Sequence, residues 1–215
     1  MSLGSDPAHR RRDYSREDLA IGHLDPDPIK QFMVWFRAAG AAGPNEPNAM
    51  TLATAGEGGR PSARVVLLKD VSRGGFVFYT NYESRKGDDL AENPQAALVF
   101  FWPELERQVR VEGRAERVDR SDSEAYWRTR PRGAQLGAWA SDQSRVITGR
   151  PVLDDRLREV AQRYAGVDVP APPHWGGWRI MPSEIEFWQG RPDRMHDRLI
   201  YRRAEPGWTV ERLAP

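Results

Sequence analysis

Between Arg107 and Val118 the side chains alternate in one phase. Val109, Val111 and Ala115 fall on one face, and Gln108, Arg110, Glu112, Arg114 and Glu116 on the other. A period of two fits a long strand with one face in a core and the other in water. A single strand is not stable in water, so the rest of the chain must supply neighbours.

It does so in short pieces. Ala49 to Thr54, Ser62 to Lys69, Phe76 to Thr80 and Ala96 to Trp102 read as strands, with turns at Gly58-Gly59 and Gly74-Gly75. The first three are expected to form sequential antiparallel strands joined by hairpins. Trp178 to Ile180, Ile185 to Gln189, Leu199 to Arg203 and Trp208 to Leu213 add four more near the end. Helical spacing predicts helices over Pro28 to Ala39, Ser84 to Glu92 and Pro151 to Tyr164. Ser121-Asp122-Ser123-Glu124 reads as a capping box opening a helix through Arg128. Val169 to Pro173 reads as an extended linker. Strands do not alternate with helices, which disfavours a parallel βαβ sheet. The expected class is mainly β, a β-barrel with peripheral helices. Residues 1–27 are expected to be a partly mobile segment and 28–215 a single domain.

Composition narrows the function. Lys and Arg total 32 against 31 Asp and Glu, so overall charge does not favour nucleic acid as a partner. Cysteine is absent, which removes disulfides, cysteine metal sites and a cysteine nucleophile. No metal site is expected. No apolar run approaches a membrane span, and Met1 to Tyr14 lacks the apolar core of a secretory signal. A soluble cytoplasmic protein with no membrane partner is the expectation. No Gly-x-Gly-x-x-Gly is present, so no Rossmann nucleotide site is indicated.

Several polar clusters are candidates for chemistry. Ile185-Glu186-Phe187-Trp188-Gln189-Gly190 leads into Arg194-Met195-His196-Asp197-Arg198. A packed core has no need of Arg-x-His-x-Arg, whereas an anionic, planar, aromatic ligand would use all three. Ser84-Arg85-Lys86-Gly87 opens a predicted helix, where free N–H groups and two cations suit a phosphate. Arg64 and Lys69 flank the apolar run Val65-Val66-Leu67-Leu68. Gln108 carries an amide that both donates and accepts. Tyr126 and Arg130 share a helix face at i, i+4 and form a second oxyanion grip. Gln143 and Ser144 follow the small-residue run Gly137 to Ser141. Taken singly, each also reads as ordinary surface: a capped helix, a strand with charged flanks, a polar loop.

Their order is more specific. Arg64-Val65-Val66-Leu67-Leu68-Lys69, Tyr79-Thr80, Ser84-Arg85-Lys86-Gly87, Arg107-Gln108, Tyr126 with Arg130-Pro131-Arg132, Gly137-Ala138-Trp139, Gln143-Ser144, Trp188-Gln189-Gly190 and Arg194-x-His196-Asp197-Arg198 occur in one sequence. Over about residues 11–215 the chain resembles the pyridoxamine/pyridoxine 5′-phosphate oxidase family.

That resemblance implies an FMN-binding split β-barrel of Greek-key antiparallel strands. It also implies a homodimer with FMN at the interface. Arg64, Val65, Val66, Leu67, Leu68, Lys69, Tyr79, Thr80, Arg85 and Lys86 would hold FMN, chiefly its phosphate end. Gln108, Trp188 and Arg198 would lie along the rest of the cofactor, and Gln143 and Ser144 would reach it from the other subunit. Lys69, Tyr126 and Arg130 would grip the substrate phosphate. Arg194, Met195 and His196 would position the substrate ring, with Arg194 and His196 as the catalytic pair. Arg11, Arg12 and Tyr14 match an N-terminal Arg-Arg-x-Tyr pattern resembling a lid. The implied reaction oxidises pyridoxamine or pyridoxine 5′-phosphate to pyridoxal 5′-phosphate, with O2 reduced to hydrogen peroxide.

The chain departs from the pattern at Ala134, where the family often carries a phosphate-binding serine. The lost hydrogen bond predicts weaker substrate binding, by about 0.5–1.5 kcal/mol. Met195 stands where leucine is commoner, a change of similar volume. Two other readings share the barrel: an oxidase of another aromatic compound, such as a phenazine precursor, and a flavin-binding protein without turnover.

Overall fold

The computed structural model describes Tyr14 and residues 18–43 and 46–215. Arg11 and Arg12 of the expected lid lie outside the described residues. Five helices and nine strands follow in order: α1 Pro28–Ala41, β1 Ala49–Ala55, β2 Pro61–Leu67, β3 Asp70–Ser72, β4 Gly75–Asn81, α2 Arg85–Glu92, β5 Gln95–Trp102, β6 Arg107–Arg117, α3 Arg120–Thr129, α4 Arg132–Ala140, α5 Arg150–Arg163, β7 Trp175–Gln189, β8 Asp197–Arg203 and β9 Trp208–Leu213. The fold is mainly β, as the alternation and the glycine turns predict.

The sheet runs β2-β1-β5-β6-β7-β4-β3, with β8 on β7 and β9 on β8. One of the two expected hairpins forms, β1 with β2, whereas the Gly74-Gly75 turn joins β4 to β3, a short strand that the sequence reading did not separate from Ser62 to Lys69. β1 pairs β2 antiparallel from Ala49↔Leu67 to Ala55↔Pro61, and β3 pairs β4 from Asp70↔Val77 to Ser72↔Gly75. The expected sequential meander does not form, because β2 and β3 occupy opposite ends of the strand order. The change of partner occurs at Leu68. Lys69 donates its N–H to the Val77 carbonyl at 2.8 Å, so the chain leaves β1 and joins β4. Lys69 therefore lies beyond the strand that Arg64 occupies.

Three local readings need correction. The two strands expected around Pro182 are one strand of 15 residues, β7. Proline donates no ladder bond, and here the opposing backbone comes close: a Cβ on Gly113 would sit 2.1 Å from the Met181 carbonyl oxygen. The capping box does not form, since the N-cap of α3 is Asp119 and Glu124 bonds Arg120 Nε at 2.8 Å. Finally, α4 occupies a stretch read partly as a polar loop. Gly133 and Gly137 lower its intrinsic propensity. Tertiary bonds compensate, with Trp139 Nε1 donating to Pro170 O at 2.8 Å and Arg132 donating to the Val167 and Tyr164 carbonyls.

The chain divides into two compact units. One comprises the N-terminal segment with α1, residues 99–111 and residues 183–215. Helix α1 begins at Pro28, with the Asp27 carboxylate capping Ile29 N–H at 2.9 Å. Its buried Phe32, Trp35 and Ala39 share one face. Phe32 meets Phe100 at 4.9 Å, and Trp35 meets the edge of Phe187 at 5.1 Å. The other unit, residues 49–98 and 112–182, contains β1 to β4 and α2 to α5. Met50, Leu52, Phe76, Phe78, Leu90, Leu98 and Ile180 are buried in it. A satellite cluster of Trp127, Val169 and Trp175 lies under α3 and α4.

Candidate functional site

The second unit holds a cavity of about 430 Å³ lined by Val65, Val66, Leu67, Lys69, Tyr79, Thr80, Lys86, Tyr126, Thr129, Arg130, Pro131, Ala134, Gln143 and Trp175. Eight of the expected cofactor positions and all three expected phosphate-gripping residues are among them.

Lys86 closes one end. Strand β4 ends in Thr80-Asn81, and the turn through Ser84 starts α2. Gly87 permits this turn, since a Cβ there would lie 2.0 Å from the Tyr82 carbonyl oxygen. Lys86 Nζ donates to Thr80 Oγ1 at 3.1 Å, Ser84 Oγ at 3.1 Å and Gln143 Oε1 at 2.9 Å. All three acceptors are neutral oxygens. Burial, with the nearby Arg64 charge, pushes the amine down to about 8. A buried ammonium without a carboxylate at the N-terminus of a helix suits a phosphate. Gln143 meets Thr80 and Lys86 of its own chain, whereas Ser144 is exposed with φ 73°. Arg85 is exposed on the first turn.

Arg64 is fixed by residues that sequence reading missed. Its Nη1 donates to Thr54 Oγ1 at 2.6 Å and its Nη2 to Ser62 Oγ at 2.8 Å. Asp89 accepts from Thr54 Oγ1 at 2.6 Å and lies 3.7 Å from Arg64 Nη2. Asp89 is one helical turn past Arg85, a spacing visible in Arg85-Lys86-Gly87-Asp88-Asp89.

The other end of the cavity is aromatic and cationic. Tyr79 stacks on Tyr126 at 4.1 Å and on Trp175 at 5.3 Å. Burial, with Asp70 and Asp122 nearby, pushes the Tyr79 hydroxyl up to about 12, so it stays a donor at neutral pH. Arg130 Nη1 is buried and has no hydrogen-bond partner. Lys69 is exposed at the rim. Ala134 lines the same cavity, and Arg132 cannot replace the missing hydroxyl because its guanidinium is bonded to Tyr164 and Val167.

The first unit carries the rest of the expected set. Trp188 faces His196 at 4.7 Å between ring centres, and Tyr14 meets both rings at 5.7 Å. Gly190 makes room for this, since a Cβ there would lie 2.7 Å from Tyr14. Asp193 and Arg194 have φ of 53° and 61°, a left-handed bend that non-glycine residues rarely adopt. It leaves Arg194 and Met195 exposed. His196 Nδ1 is 3.1 Å from the Arg191 N–H and accepts from it. Desolvation, then the Arg194 charge, lowers the His196 pKa. The ring is therefore neutral at pH 7 with its proton on Nε2. Arg198 forks onto Glu186 at 2.8 and 3.1 Å, and Arg110 meets the same buried carboxylate at 3.1 Å. Gln108 is half-buried on β6, on the same face as Arg110.

Residues 36–164 match the family described as pyridoxamine 5′-phosphate oxidase, and residues 175–215 match its C-terminal dimerisation region, described for pyridoxine 5′-phosphate oxidase. The chain belongs to the pyridoxamine 5′-phosphate oxidase family. It is 56% identical over 205 residues to the pyridoxine/pyridoxamine 5′-phosphate oxidase of a Cyanothece strain, covering 95% of this chain and 96% of that one. It is 57% identical over 211 residues to the enzyme of the same name from Salinibacter ruber, covering 97% and 98%. Among solved structures, PhzG from Burkholderia lata, in complex with tetrahydrophenazine-1-carboxylic acid, superposes with a TM-score of 0.88 at 31% identity, covering 95% of this chain and all of that one. A pyridoxamine 5′-phosphate oxidase-related, FMN-binding protein from Nostoc punctiforme shares the fold, with a TM-score of 0.70 at 18% identity over 93% of this chain.

Members of this oxidase family are flavoproteins, and Lys86, Arg64 and the first turn of α2 fit the anionic end of a flavin nucleotide. Among the described residues no cluster suits a metal ion, and no helix is long and apolar enough to cross a membrane.

Proposed function

We propose that the protein is an FMN-dependent oxidase that converts pyridoxamine 5′-phosphate and pyridoxine 5′-phosphate to pyridoxal 5′-phosphate, reducing O2 to hydrogen peroxide. It acts as a homodimer with FMN at the interface, in the cytoplasm, in vitamin B6 synthesis and salvage. The observation that carries this reading is Arg130, a half-buried guanidinium whose Nη1 is buried and unbonded, in a cavity shared with Lys69 and Tyr126. A second phosphate cup beside the flavin phosphate seat is what a phosphorylated vitamin needs.

When bound, FMN would supply the two-electron acceptor and the route of those electrons to O2, and for the amine substrate water would be consumed and ammonia released. The protein's part is positioning and charge. Lys86, Arg64 and the α2 N–H groups hold the cofactor phosphate. Lys69, Tyr126 and Arg130 hold the substrate phosphate. Trp188 and Arg194 bracket the substrate ring. His196 has its Nδ1 lone pair occupied, so it offers Nε2–H as a hydrogen-bond donor rather than acting as a base. The proton lost by the substrate amine or alcohol passes to water.

The likeness to PhzG favours a second reading, an oxidase of a phenazine precursor. That reading offers Arg130 a carboxylate rather than a phosphate and leaves no role for a three-residue phosphate cup of Lys69, Tyr126 and Arg130. The deciding experiment incubates FMN-loaded protein in air with each B6 phosphate and follows pyridoxal 5′-phosphate and peroxide together. Equal formation of both products is expected. Bound FMN with turnover of neither compound moves the assignment to the second reading.

A further inference from the structure

Three of the arginines on helix α3 and its flanks, Arg120, Arg130 and Arg132, have different fates. Arg120, at its start, donates to the carbonyls of Ala171, Pro172 and Trp175 at 2.8 to 3.0 Å. Arg132, just beyond its end, donates to Val167 and Tyr164. Both staple backbone to backbone. Arg130, the C-cap between them, does neither. Its Cζ lies 5.0 Å from the centre of the Trp127 ring and 4.7 Å from that of Trp175. No carboxylate among the described residues lies within ion-pair distance of it.

Both tryptophans are held in place. The Trp127 indole Nε1 donates to the Val169 carbonyl at 2.7 Å. The Trp175 backbone is fixed instead: its main-chain N–H donates to Pro172 O at 3.1 Å, and its carbonyl accepts from Arg120 Nη1 at 3.0 Å. Their rings meet at 4.8 Å and 69°, and each residue is at most 4% exposed.

A carboxylate at this position would hold the guanidinium but would neutralise it and occupy its N–H groups. Ring faces attract the cation through their quadrupole and leave its in-plane donors unused. An arginine serving only as packing would reach a nearby carbonyl, as Arg120 and Arg132 do, because a buried unmade hydrogen bond is costly.

We propose that Trp175, with Trp127, is a positioning residue that clamps Arg130 so that its N–H groups stay free for the substrate phosphate. This rests on the reading that Arg130 meets that phosphate. The clamp makes phosphate recognition depend on two residues that carry no charge.

The test measures kcat and KM for pyridoxine 5′-phosphate, and the inhibition constant of inorganic phosphate, on the FMN-loaded enzyme. Wild type is compared with Trp175→Phe and Trp175→Leu. Trp175→Leu should raise both KM and the phosphate inhibition constant roughly tenfold, with kcat and flavin content held within about twofold. Trp175→Phe, which keeps a ring face, should recover most of the loss. Unchanged KM and inhibition constant in Trp175→Leu overturn the clamp. So does a fall in kcat with neither constant shifted, which marks a merely structural role. If Trp175→Leu does not fold, the Trp127→Phe/Trp175→Phe double variant decides in its place. A rise of about threefold in both constants supports the clamp, and no rise overturns it. If wild type turns over neither B6 phosphate, the functional reading fails separately. Calorimetric titration of the same variants with inorganic phosphate then judges the clamp: weaker binding supports it and equal binding overturns it.

Discussion

The imidazole Nδ1 of His196 accepts a hydrogen bond from the backbone N–H of Arg191 at 3.1 Å. That bond needs the neutral ring. The folded pKa lies below the ordinary 6.5, so the unfolded chain binds this proton more readily. The stabilisation is complete above about 6.5 and is lost as pH falls through the folded value. The protection factor of the Arg191 amide against proton exchange should therefore fall as pH drops below 6.5. His196→Asn, whose Oδ1 can accept the same bond, should keep more activity than His196→Leu. Equal rates for the two variants would remove the donor role assigned here.

Lys86 gives the opposite pH dependence for binding. Its folded pKa of about 8 lies below the ordinary 10.5. Between those values the unfolded chain holds the proton and the folded chain releases it. The stability of the cofactor-free chain should therefore rise with pH across that window. A phosphate needs the charged amine, so FMN affinity should weaken as pH rises above about 8. Fluorescence titration of FMN from pH 7 to 10 checks this. Lys86→Met should abolish the pH dependence and weaken FMN binding by about tenfold or more.

Ala134→Ser should improve substrate binding. The new hydroxyl faces the cavity that contains Arg130. One added hydrogen bond contributes about 0.5–1.5 kcal/mol, so KM for the B6 phosphates should fall by roughly two- to tenfold with kcat unchanged. Steady-state kinetics decide it, and an unchanged KM would place the hydroxyl out of reach of the phosphate.

Gly87→Ala should unseat the cofactor through the backbone. Its Cβ would collide with the Tyr82 carbonyl oxygen. The first turn of α2 must then shift, at a cost of about 3 kcal/mol in stability. Thermal denaturation and flavin content should fall together. An unchanged melting temperature would show that the turn has slack.

The legible parts of the chain were those set by local chemistry. The single-phase alternation of β6, the apolar stripe of α1 and the paired glycines of the hairpins each depend on neighbours within a few residues. The path of the sheet does not. Nothing local in Leu68-Lys69 signals that Lys69 will bond Val77 rather than continue along β1. Likewise α4 is helical because Pro170, Val167 and Tyr164 offer distant carbonyls to Trp139 and Arg132. The cationic site residues were visible as a family pattern. Their supports, Asp89 for Arg64 and Trp175 for Arg130, were not, because each is distant in sequence from the residue it holds.

Arg130 also has an evolutionary consequence. A cation with a buried, unbonded Nη1 is a standing burden on a chain that binds no anion there. In a lineage without such a ligand, an apolar side chain at this position would raise stability. The place of Arg130 between two tryptophans is thus one that only a need for an anion would preserve, in a side chain that makes no hydrogen bond of its own.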